Sequence, residues 1–162
     1  GGELGHVVIE KGGKPCTCGR HGCWEAYSSA TGLVNMTKER LLEARAAGRK
    51  TLIDDMIGDD FSKISARTAF NAQKEGDEVG IEIVNEYISY LACGIVNLIN
   101  VFQPNILVIG GGVCHEGENL LRPLLEKVFS ETYSREGTPR TEIKLAKLGN
   151  DAGIIGAAVL GI

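Results

Sequence analysis

The chain has 162 residues, 43% of them hydrophobic and 23% charged, with a formal net charge of −4, the size and make-up of a single globular domain. It has no long basic run, which argues against an electrostatic footprint for nucleic acid, and no apolar stretch approaches the roughly 18 residues of a membrane span. The five cysteines are odd in number and clustered, unlike the disulfide framework of a secreted domain, and point to a reducing compartment, the cytoplasm. The sequence opens on Gly1-Gly2 and not on methionine, which leaves open that residues precede it, a targeting signal among them.

In chain order, HVVIE over 6–10 predicts a short strand closed by Gly12-Gly13 and Pro15. A helix is expected over 25–34, and a second, charged one over 38–47, with Thr37 as N-cap and Gly48 as stop. Ser65 is placed to cap a third helix ending at Gly76. The longest helix is expected from about Asp77 to Phe102, its buried face formed by Val84, Tyr87, Ile88, Leu91, Ile95, Leu98, Ile99 and Phe102. After Pro104-Asn105, ILVIGGGV over 106–113 predicts a buried strand whose glycine tip makes a tight backbone approach. A helix over 117–130 follows, with Pro123 disturbing its early turns. TEIKLAK over 141–147 alternates like a half-buried strand, and Asp151 can cap a final helix of small and apolar residues. Strands separated by helices, without repeat or linker, indicate one α/β unit, although three strands are few for such a sheet.

The densest chemistry lies in GHVVIEKGGKPCTCGRHGCWE over 5–25. Cys16, Cys18 and Cys23 with His6 supply a Cys3His set, a standard tetrahedral zinc complement. Gly19 and Gly22 give the loop the freedom to fold its thiolates round one ion. His21 is the competing imidazole, and the spacing alone leaves the choice open. Unpaired loop thiols are the plainer alternative. A redox pair is disfavoured because Cys-x-Cys is not the Cys-x-x-Cys arrangement that tunes thiol reactivity. Four protein ligands leave no open position, so such a metal is structural. Cys93 and Cys114 read as small core residues.

The stretches GELGH over 2–6, CTCGRHGCWE over 16–25, SATG over 29–32 and PNILVIGGGV over 104–113 resemble, in order and across nearly the whole chain, the ROK family of repressors and sugar kinases, and most nearly its bacterial glucokinases. The resemblance implies the carboxy-terminal lobe, incomplete at its start, of an actin/hexokinase-type (ribonuclease H-like) sugar-kinase fold. It assigns His6, Cys16, Cys18 and Cys23 to structural zinc, Glu3, His6 and Glu25 to the sugar hydroxyls, and Gly110, Gly111 and Gly112 to the adenosine of ATP, with magnesium as the nucleotide's counter-ion. Carboxylates accept the hydroxyl hydrogen bonds of a pyranose well, and ligation of one His6 nitrogen fixes the tautomer of the other. Trp24 is either a sugar-stacking or a core residue.

The family's Asp-x-Gly-x-Thr phosphate loop and its catalytic aspartate are not in these residues, so no catalytic residue is assigned. The expectation is therefore a glucose- and ATP-binding portion of a cytoplasmic glucokinase that is a homodimer when intact and makes glucose 6-phosphate. This portion alone is expected to be inactive, with neither a nucleic-acid nor a membrane partner. A sugar-sensing repressor, or a kinase for N-acetylmannosamine or fructose, are the alternatives.

Overall fold

The computed structural model describes residues 2–133, 140–148 and 152–160. Its centre is α5 (Glu78–Phe102). Asp77 starts this helix by accepting a hydrogen bond from Gly80 N at 2.7 Å, and the same carboxylate accepts from Thr51 Oγ1 at 2.9 Å and Leu52 N at 2.8 Å. One side chain thus caps α5 and anchors the start of α3 (Leu52–Ile57), a helix with no expectation in the sequence reading. Val84, Tyr87, Ile88, Leu91, Ile95 and Ile99 are buried as their spacing requires. Each such burial is worth about 1.5–3 kcal/mol.

The end of that stripe departs from expectation. Leu98 is half-buried and Phe102 is 64% exposed. The helix closes there through Gln103 in the left-handed region (φ 43°), past the elements that cover the stripe. By length and composition α5 could cross a bilayer, contrary to the reading that no stretch is long enough. Instead its apolar face is covered by α4 (Thr68–Lys74), α6 (Glu118–Glu131) and α2 (Ala30–Ala46), and its Glu82 and Glu86 pair with Arg49 and Arg40.

The helices expected over 25–34 and 38–47 are instead a short α1 (Glu25–Ser28) and a continuous α2. Ser29 breaks them apart by capping α2, its Oγ accepting from Gly32 N at 3.0 Å. Thr37 is no cap. It is buried inside α2 and donates to Leu33 O at 2.8 Å, the interior alternative open to a helical threonine. Gly48, at φ 68°, ends the helix region as expected. Ser65 is not the cap of α4, whose N-cap is Arg67 without a side-chain cap bond; it lies in the turn before it, its Oγ accepting from Arg67 N at 3.3 Å and Thr68 Oγ1 accepting from Ser65 N at 3.0 Å.

No strand forms over 6–10. Leu4–His6 is a single 3-10 turn and Val8 makes one antiparallel bridge to Cys23, because this segment pairs with the returning limb of the cysteine loop and not with a sheet. The described sheet is β1 (Ile106–Ile109) beside β2 (Glu142–Leu145), parallel, with Leu107 opposite Ile143 and α6 as the crossover. β1 is not buried on both faces as its apolar run suggested. Leu107 and Ile109 pack on the core, while Ile106 and Val108 are 52% and 58% exposed on the face turned from it. α7 (Ala152–Val159) follows, with Ile154 and Leu160 exposed. Asp151, its expected cap, lies outside the described residues.

Candidate metal centre and adjoining cleft

The cysteine loop folds as a two-rung backbone ladder. Ile9 N donates to Gly22 O at 2.9 Å and Trp24 N to Val7 O at 2.8 Å on one rung; Cys16 N donates to Arg20 O at 2.9 Å and Gly22 N to Lys14 O at 2.7 Å on the other. Gly22 sits where the rungs meet, at φ 78°, and a side chain there would overlap the Glu10 carbonyl. The ladder brings together ligand atoms of His6, Cys16, Cys18 and Cys23, all within 4.8 Å of one another. His6 Nδ1 lies 3.5 Å from Cys16 Sγ, and Cys18 Sγ lies 3.6 Å from Cys23 Sγ. Bonds of about 2.3 Å to sulfur and about 2.0 Å to nitrogen place tetrahedral zinc ligands roughly 3.5–3.8 Å apart, so both separations fit the donor set round one ion. His21 is exposed in a bridge to Pro15 and is not in the cluster. Geometry thereby selects His6.

The thiols are electrostatically unequal. A backbone hydrogen bond from Arg20 holds Cys18 below the usual thiol value. Burial pushes Cys23 up to about 11, with hydrogen bonding to Cys18 and Cys16 adding to it. A cation at their centre would reverse that cost by stabilising all three thiolates.

Glu25 opens α1 immediately beyond the loop, and its Oε2 lies 3.5 Å from His6 Nδ1 and 3.9 Å from Cys16 Sγ. It borders a cleft of about 350 Å³ whose far wall is Gly110, Gly111 and Gly112. It also borders a second, larger cleft of about 490 Å³ on the side of Lys14, Asn35 and Lys38. Gly111 has φ 98° and requires glycine for its conformation, whereas a Cβ on Gly112 would meet no neighbour within 4 Å. Packing among the described residues does not demand a glycine there; a ligand backed against the turn would. Glu3 is exposed at the head of the first 3-10 turn, its carbonyl accepting from His6 N at 3.1 Å.

Three aromatic residues hold the site on the helical core, two of which, Trp24 and Tyr87, also line the cleft. Tyr87 Oη donates to Ser28 O at 2.8 Å and holds the end of α1 on α5. Trp24 Nε1 donates to Tyr90 O at 2.9 Å, so the indole fastens loop to helix while also lining the cleft. Tyr27 is buried beneath the loop, its ring 4.4 Å from that of Tyr90. Tyr87 is legible only as part of the apolar face of the long helix, and Trp24 and Tyr27 only as neighbours of the cysteine motif, signals that carry no information about a partner some 60 residues away.

An α/β lobe that sets a Cys3His loop and an adjacent carboxylate across a cleft from a glycine turn has the architecture of a sugar-kinase lobe of the actin and hexokinase type. The chain belongs to the ROK family, which it matches over residues 1–162. It is similar to the glucokinase of Thermotoga maritima, 38% identical over 98% of this chain and 48% of that protein, and to that of Halalkalibacterium halodurans, 36% identical over 98% and 47%. Its fold matches a ROK family glucokinase from Streptomyces griseus, solved in complex with glucose and AMPPNP, with a TM-score of 0.81 and 31% identity over 98% of this chain and 50% of that one. The chain spans about half the length of the curated relatives it matches.

Proposed function

We propose that the chain is the sugar-clamping and adenosine-binding portion of the carboxy-terminal lobe of an ATP-dependent glucokinase. The observation that carries this reading is the position of Glu25, which touches the metal loop on one side and faces the cleft of the triglycine turn on the other. Glu3, His6 and Glu25 accept and donate hydrogen bonds to glucose hydroxyls, His6 using the ring nitrogen that does not face the thiols. Gly110, Gly111 and Gly112 let the adenosine of Mg-ATP lie against backbone. His6, Cys16, Cys18 and Cys23 hold zinc, which supplies rigidity to the loop and takes no part in phosphoryl transfer.

In such an enzyme the sugar 6-hydroxyl attacks the γ-phosphorus in line, and positioning provides most of the rate. The catalytic base and the phosphate loop belong to the amino-terminal lobe of the parent protein, so this portion alone transfers no phosphoryl group. The intact parent is a homodimer.

The test is glucose-dependent ADP release by the full-length parent and its Glu25→Gln variant. The amide keeps the shape but loses a charge-assisted acceptor, so glucose binding weakens by about 1.5–3 kcal/mol while zinc stays bound. Turnover with N-acetylmannosamine or fructose in place of glucose reassigns the substrate. DNA binding relieved by a sugar, without ADP release, replaces the kinase reading with a repressor.

A further inference from the structure

The four candidate metal ligands sit on two limbs held in different ways. His6 and Cys23 flank the rung closed by the Ile9–Gly22 and Trp24–Val7 backbone bonds, and Trp24 fastens that rung to α5. Cys16 and Cys18 lie on the other limb, which leaves the ladder through Gly13, Lys14 and Pro15. The Lys14 peptide is gripped from both sides. Its carbonyl accepts from Gly22 N at 2.7 Å, and its N–H donates to the hydroxyl of Tyr27, also at 2.7 Å.

Tyr27 is 2% exposed. Its ring is wedged against Tyr90, with centroids 4.4 Å apart at 31°, so its hydroxyl is a fixed point relative to α5. The chain above it is shaped to that hydroxyl: a Cβ on Gly13 would overlap the Tyr27 oxygen. Lys14 closes over the same ring, its Nζ 5.7 Å from the centroid and 2.5 Å from Glu39 Oε2 on α2. The ion pair is partly solvated and contributes little alone. The buried hydroxyl is the stiffer tie.

We propose that Tyr27 is a positioning residue for the metal loop: by holding the Lys14 N–H, its hydroxyl sets Cys16 and Cys18 at ligating distance from His6 and Cys23, and so sets the metal affinity. This rests on the reading that these four residues take a metal. Because Glu25 touches both His6 and Cys16, the same hydroxyl also controls where the sugar-facing carboxylate points. Tyr27→Phe keeps the ring and its stacking and removes only the acceptor. Gly13→Ala leaves the Tyr27 side chain in place and crowds its hydroxyl; the added Cβ also meets Glu10 Cγ at 2.8 Å, an exposed side chain that can turn away.

The experiment uses the full-length parent, stripped of metal and titrated with Co2+, whose thiolate charge-transfer and d–d bands report tetrahedral Cys3His ligation, with Zn2+ affinity then read by competition. The melting point of the metal-free proteins is measured alongside. Loss of one hydrogen bond predicts about 2- to 12-fold weaker Co2+ and Zn2+ binding in Tyr27→Phe, with altered d–d bands. Gly13→Ala should weaken binding by a similar factor. In the Tyr27→Phe background it should cost clearly less than alone, because both changes break one contact.

Unaltered cobalt affinity and spectrum in the two single variants overturn the inference, even where the metal-free melting point falls, since that is the signature of a purely structural tyrosine. Fully additive losses overturn it too, because they deny the shared hydroxyl. Absence of a tetrahedral cobalt spectrum in the unsubstituted parent overturns the metal reading itself, and the inference with it.

Discussion

Gly94 of α5 offers a test in which two physical effects have opposite signs. An alanine in place of glycine within a helix is favourable by about 1 kcal/mol from backbone entropy alone, so propensity predicts a stabilised protein. In this fold a Cβ at Gly94 would overlap the indole of Trp24 at Cε2, Cδ2 and Nε1. The ring is rigid, and its Nε1 is tied to Tyr90 O at 2.9 Å. Overpacking of this kind costs about 1–3 kcal/mol, and a ring that swings clear forfeits its hydrogen bond, about 0.5–1.5 kcal/mol more. With the propensity gain subtracted, Gly94→Ala should destabilise the full-length parent by about 0.5–3.5 kcal/mol in urea unfolding. Trp24 is the sole tryptophan of this chain, and its emission, read as the difference between the parent and a Trp24→Phe variant, should shift toward that of a more hydrated indole. A variant about 1 kcal/mol more stable than the parent, with unchanged emission, would refute the packing of Trp24 on α5. It would also remove the reason for treating the metal loop as fastened there.

Cys18→Ser should reduce zinc from one per chain to a small fraction, measured by metal analysis of protein purified without added zinc; equal content in variant and parent would sink the Cys3His assignment. Lys74→Met should destabilise by about 1–3 kcal/mol, because Glu116, its side chain only 5% exposed, loses its 2.6 Å partner. The exposure of Lys74 to water places the value toward the lower end, and Glu116→Gln in the same background should recover part of the loss in urea unfolding. Hydrogen bonding to Arg49 holds the Glu82 carboxyl below the usual glutamate range. Its contribution to stability is therefore complete above the ordinary value of about 4.3 and is lost as pH falls through the folded one. Glu82→Gln should accordingly melt lower than the parent at neutral pH and converge with it in acid, and a gap that persists below both values would contradict the pairing.

Local chemistry made much of this molecule legible in its sequence. The apolar spacing from Val84 to Ile99 has one helical solution. The Cys3His set and the triglycine exit from ILVI were readable for the same reason, since each is a pattern of residue types close together in the chain. What stayed hidden depends on contacts over distance. His6 and His21 were equivalent ligands until the Val8–Cys23 bridge brought one in and left the other in solvent. Thr37 is a cap by residue type, and only the fold shows its hydroxyl bonded to Leu33 O inside a longer helix. The exposed half of β1 was unreadable because an apolar run states that a strand can be buried on both faces, not that both faces are covered.

The two halves of the proposed site are rigid for different reasons. The sugar side rides on a loop in which Gly22, Cys23 and little else are buried, too small a core to hold the positions of His6 and Glu25 against the entropy of a flexible chain. Its order comes from the backbone ladder, from the aromatic fasteners to α5 and, in the proposed enzyme, from the metal. The triglycine side has neither cross-link nor bulk at its tip. It is continued by the 3-10 turn Gly112–Glu116, which packs on α6 and is tied to α4 through Glu116 and Lys74. Both sets of ties lead back to the helical core, in which α5 packs against α1, α4 and α6. A long, capped helix is the stiffest element available to such a chain, and it is the common reference from which the carboxylate and the glycine turn take their separation.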